Sequence, residues 1–115
     1  MIVGAAIVEI RIHGSHSLKQ RRGVVRSITQ RVSNRYNLSI ADVGGQDTWQ
    51  RAELGLCSAG MDRQRVRTLL ESAVVFIEEL HLAEIIAVDI EVLDLPHESA
   101  HWNGESEGES VEFEE

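Results

Sequence analysis

A chain of 115 residues with 43% apolar content has room for one modest core and not for two, so a single domain is expected. Its net charge of -8 argues against indiscriminate binding to nucleic acid. The lone cysteine, Cys57, excludes an internal disulfide and fits a reducing compartment, with the cytoplasm as the default. No segment is long and apolar enough for a membrane-spanning helix, and the run Met1 to Val8 lacks both the length and the basic flank of a secretory leader, so no membrane partner is expected.

The charge is unevenly placed. All eleven Lys and Arg lie between Arg11 and Arg67, and residues 1–67 contain only five acids, whereas fourteen acids and no base follow from Thr68 onward. A basic half inside an acidic chain can still form a local positive patch.

In chain order, Ala6, Val8, Ile10 and Ile12 alternate with Ile7, Glu9 and Arg11, the period of two expected of a strand with one face on a core. Gly14 turns the chain, and Ser17 with Gln20 three residues later gives a capping box for a helix running to about Tyr36. Leu18, Val25, Ile28, Val32 and Tyr36 share one face of that helix. Lys19, Arg22 and Arg26 form a row on another, and Arg31 and Arg35 flank the apolar stripe on the opposite side. Leu38 to Val43 and Ala52 to Ala59 read as strands joined by a Gly44 to Trp49 connection. Asp62 caps a second helix with Val66, Leu69, Leu70, Ala73, Phe76, Ile77 and Leu80 at helical spacing. A last strand alternates Ile86, Val88, Ile90 and Val92 with Ala87, Asp89 and Glu91, and Pro96 ends its pairing.

Two helices with one apolar stripe each and four strands with one apolar face each are satisfied by a two-layer α+β sandwich, with both helices on one face of an antiparallel sheet. The order βαββαβ is the ferredoxin-like split motif. Residues 1–95 should form this domain, with the first and last strands in or near the sheet centre. Ile7, Glu9, Arg11, Glu53, Cys57, Asp89 and Glu91 should lie on the uncovered face. Residues 96–115, rich in Glu, Ser and Gly, read as an acidic, disordered tail that competes for any basic surface.

Chemistry is sparse. His97, Glu98 and His101 spell H-E-x-x-H, but the copy follows Pro96 in a polar tail and lacks the buried helix that a zinc peptidase needs. His13 and His16 have no second ligand pair nearby, and Cys57 reads as a packing thiol in a strand. Gly44 and Gly45 lack the Lys and Ser or Thr of a phosphate loop. No catalytic residue, metal or cofactor is therefore expected, and the chain is read as a non-enzyme. Lys19, Arg21, Arg22 and Arg26, with Arg11 as a further candidate, are the suggestive cations for phosphate contact, against the alternative that they are a solvated face and that Arg21 packs its stem along the apolar edge. Trp49, Gln50 and Arg51 offer a stacking ring with hydrogen-bonding reach, against the alternative that Trp49 covers the sheet edge while Asp47 pairs with Arg51.

The segments VGAAIVEIRIHGSHSLKQRRGVVRSI and SIADVGGQDTWQRAELGL, with the final strand, resemble the bacterial YlxP-like family of unknown function. The specific parts are Ser17, Leu18, Lys19 and Arg22, then Val43, Gly44, Gln46, Asp47, Trp49, Gln50, Arg51 and Ala52. The chain departs at Gly45, where an acidic residue is common, and at Gln20 and Arg21, where Glu and Lys are usual. The resemblance implies a ferredoxin-like fold and, because such proteins are often encoded beside translation initiation and ribosome-binding factors, a link to translation or ribosome maturation. The combined expectation is an accessory protein associated with ribosomal RNA or a pre-ribosomal particle; the alternative is an interaction module that forms a homodimer through its open sheet face.

Overall fold

Alternation in the first strand places one residue in two against the helices, and the computed structural model, which describes residues 1–45 and 48–96, shows that arrangement. Strand β1 (Ile2–Arg11) turns Ala6, Val8 and Ile10 inward, none more than 3% exposed. Helix α1 (Leu18–Arg35) is capped by Ser17, whose Oγ accepts from the Gln20 amide at 3.1 Å. The Gln20 side chain reaches back past the cap to accept from the His16 amide, so the capping box closes one residue earlier than the standard pattern.

Strands β2 (Ser39–Gly44) and β3 (Arg51–Gly60) follow, then helix α2 (Arg63–Glu79) and strand β4 (Glu84–Asp94). Asp62 caps α2 by accepting from the Gln64 and Arg65 amides at 2.8 and 3.3 Å. The sheet is antiparallel with the order β2-β3-β1-β4, giving the ferredoxin-like βαββαβ sandwich.

One topological expectation is corrected. The central strands are β1 and β3, and β4 lies at an edge. The β2–β3 connection pairs those strands with each other, and β3 also pairs with β1, so the second crossover strides over β1 to its free side. Burial follows this order: Ala52, Leu54 and Leu56 of β3 are fully buried, while Ile90 and Val92 of β4 are half-buried. Strand β4 also carries a register shift opposite Glu9 and Ile10, which sets Ile85 rather than Ile86 against Ile10.

Helix α2 lies unusually close to β1 at Gly4. A Cβ there would stand 2.5 Å from Val66 Cγ1 and 2.8 Å from Leu70 Cδ1, both on buried residues of α2. Gly4→Ala is accordingly expected to destabilise the domain by about 1–3 kcal/mol through overpacking. A thermal melt should show a fall of several degrees, since about 1 kcal/mol moves the midpoint of such a domain by roughly 4–8 °C; an unshifted midpoint would mean that α2 lifts freely.

Among the described residues no helix covers the other sheet face. Ile7, Glu53, Cys57, Asp89 and Glu91 are exposed there and Glu9 and Arg11 half-buried, as alternation requires, and Cys57 is thereby a surface thiol rather than a packing residue. Among the described residues no helix is long and apolar enough to cross a membrane. The expectations for Gln46, Asp47 and the acidic tail beyond Pro96 lie outside the described residues.

Candidate nucleic-acid interface

Helix α1 advances about 100° per residue, so Lys19, Arg22 and Arg26 fall within roughly 60° of one another on one side of it. All three are exposed. None has a carboxylate partner or other side-chain bond among the described residues, whereas six of the eight other cations are engaged by a carboxylate, a carbonyl, a hydroxyl or a ring. Arg51 pairs with Glu9 at 2.7 Å and Arg67 with Glu71 at 3.8 Å. Arg63 donates to the Val92 carbonyl, Arg31 to Ser27 Oγ, and Arg35 lies over the Phe76 ring at 4.9 Å. This last contact shows that the opposite flank of α1 is the one turned to α2, which leaves the cationic row on the free flank.

Arg21 does not belong to that row. It is 1% exposed, in line with Val25, Ile28 and Val32, and it takes the place in the buried stripe that the spacing assigned to Leu18, which is instead exposed. Its guanidinium donates four hydrogen bonds inside the protein. Nη1 and Nη2 fork onto the two carboxylate oxygens of Asp42 at 2.9 and 3.2 Å, Nη2 also donates to the Gly44 carbonyl at 3.1 Å, and Nε donates to the Arg51 carbonyl at 2.8 Å. A planar five-donor group suits this bidentate arrangement. Its inclusion among the phosphate-contacting residues is therefore corrected: Arg21 bolts the first turn of α1 to β2 and to the start of β3.

That bolt fixes a second group of residues at the same end of the molecule. Trp49, Gln50 and Arg51 line an open cavity of about 700 Å³ with Arg11, His13 and Thr48. Trp49 is 48% exposed, so about half of it is open to solvent. The loop carrying it turns at Gly45, whose φ of +77° favours glycine, and there Thr48 donates both its amide and its hydroxyl to the Gly45 carbonyl. Gln50 Nε2 donates to the Ser15 carbonyl at 3.4 Å, and the Ile12 amide to the Gln50 carbonyl at 2.8 Å. The sequence-derived cations thus divide: Lys19, Arg22 and Arg26 share the helix flank, Arg11 and Arg51 share the cavity, and Arg21 serves neither.

Comparison with known proteins places these residues in a family. Residues 3–90 match the family described as "Protein of unknown function (DUF503)". The chain belongs to that family. It is also 36% identical over 77 residues, 67% of this chain and 84% of its counterpart, to a Bacillus subtilis (strain 168) protein described as "Uncharacterized protein YlxP". In this DUF503 protein the two distinctive sequence stretches meet in space through Arg21. A lysine in its place would carry one ammonium, unable to engage Asp42 and two backbone carbonyls with the same fixed fork. His13 and Thr48 were missed as cavity residues from sequence; the only available signal was Arg11 on the uncovered face, since strand pairing that sets Arg11 opposite Arg51 cannot be read from one strand alone.

Proposed function

We propose that this DUF503 protein is a non-enzymatic accessory that docks on structured RNA, ribosomal RNA or a pre-ribosomal particle being the target class, through the free flank of α1. The observation that carries the reading is the set of three exposed cations on one helix flank, unpaired with any carboxylate among the described residues, in a chain whose other arginines are mostly engaged internally. Clustered guanidinium and ammonium groups left without counter-charges are what displaces condensed cations from a phosphate backbone. Asp89 and Glu91, exposed on the β4 side of the uncovered sheet face, would repel the same backbone and so turn that edge away from it.

Three phosphate contacts lead to an expected salt dependence. A plot of log affinity against log salt concentration for a ribosomal RNA fragment should have a slope near −2 to −3, about 0.7–0.9 for each phosphate contacted. Filter binding across a salt series measures it, and absence of binding at low salt, or a flat response, would end the proposal.

A second reading rests on the same uncovered face. Ile7 and Val43 are 47% and 52% exposed on it beside the small residues Ala5, Ala41 and Gly55. This supports a homodimer, which a light-scattering mass tests directly.

A further inference from the structure

The cavity at Trp49 contains an electrostatic imbalance. Arg11 and Arg51 stand directly opposite each other in the β1–β3 register, and like charges so placed repel. Arg51 is neutralised by Glu9. The acid that the β1–β4 register sets opposite Arg11 is Glu84, but its carboxylate is bonded to His13 Nε2 at 2.7 Å. Among the described residues no carboxylate pairs with Arg11, which is half-buried at the wall of a space that also presents an exposed indole face. An aromatic platform beside an unneutralised guanidinium matches a group that carries both a flat ring and an anion.

From this we infer that the cavity binds one unpaired nucleotide of a single-stranded RNA segment, its base stacked on Trp49 and its phosphate on Arg11, with a purine favoured for its larger ring. The volume, about 700 Å³, falls within the range of small-ligand sites, but the lining residues Thr48, Trp49, Gln50 and Arg51 are exposed, so a chain can enter and leave on either side of the bound unit. A free small molecule would gain too little enclosure there. The inference rests on the RNA reading above and adds what that reading does not contain: a place for an unpaired base, at the end of the molecule where α1 begins.

Trp49 reports on its own occupancy. In the full chain carrying Trp102→Phe, Trp49 is the sole tryptophan. Its emission should be quenched on titration with a purine-rich RNA hexamer, more weakly with adenosine monophosphate, and not with a blunt RNA duplex or inorganic phosphate. Hexamer affinity followed by filter binding should fall about 5-fold or more in Trp49→Ala and in Arg11→Gln, with part of the loss restored in Trp49→Phe, because any ring face stacks. Circular dichroism melts of each variant confirm that the fold is retained. RNA binding that leaves Trp49 emission unchanged and is indifferent to both substitutions overturns the nucleotide site while sparing the helix-flank reading. Hexamer quenching that is undiminished when Lys19, Arg22 and Arg26 are all glutamate has the opposite effect, sparing the site and removing the helix flank, and quenching by the mononucleotide with no binding of any RNA overturns both.

Discussion

Replacing Lys19, Arg22 and Arg26 together by glutamate is expected to lower affinity for ribosomal RNA by about 100-fold or more in 0.1 M salt, because three single-strand phosphate contacts contribute roughly two decades at that concentration. The folded state should be largely indifferent to the change. All three side chains are exposed and bond to no acid among the described residues, and exposed substitutions of this kind usually move stability by less than about 0.5 kcal/mol. The informative control is Arg63, Arg65 and Arg67 changed to glutamate on α2, which alters net charge by the same amount elsewhere on the molecule. Co-sedimentation with ribosomal subunits should be lost in the α1 triple variant and largely kept in the α2 variant. Equal losses would mean that overall charge, not the helix flank, governs association; equal retention would remove the RNA proposal.

The helix flank was legible in the sequence because spacing of three and four residues places side chains together whatever the helix packs on. The same holds for the inward residues of β1 and for Val66, Leu70, Ala73 and Ile77 of α2, where periodicity alone decides burial. Two features were not legible in this way. Strand order depends on which edge β4 joins, and the apolar content of β4, which suggested the sheet centre, is shared by a strand that is half-buried at an edge against the helices. Spacing of four and seven from Val25 and Ile28 puts Arg21, unlike Arg22, along the apolar stripe, but what its guanidinium does there depends on Asp42, twenty-one residues away in the chain and on a different element. A cation at a buried position in an apolar stripe is a break in the local pattern, and here the break marks the join between the helix and the loop that carries Trp49.

That join should dominate the stability of the site. Arg21→Met removes a guanidinium that is almost wholly buried, and with it the forked bond to the Asp42 carboxylate, whose side chain is 24% exposed, and the bonds to the Gly44 and Arg51 carbonyls. Asp42→Asn does the reverse, leaving a buried positive charge without its carboxylate. Removing one partner of a buried pair typically costs about 3–5 kcal/mol, and the partial exposure of Asp42, which lets water reach the carboxylate, places Arg21→Met toward the lower end. For a domain of this size that loss corresponds to a fall in melting midpoint of roughly 10 °C or more. Arg21→Lys should recover only part of it, since a single ammonium cannot fork onto the carboxylate and also reach both carbonyls. The consequence for binding follows from the same contacts: with the first turn of α1 no longer tied to the start of β3, the helix cations and the Trp49 cavity lose their fixed separation. An RNA that engages both should then lose affinity even at temperatures where Arg21→Lys remains folded. A lysine variant with unchanged melting midpoint and unchanged RNA affinity would show that Arg21 merely fills space at the head of the helix.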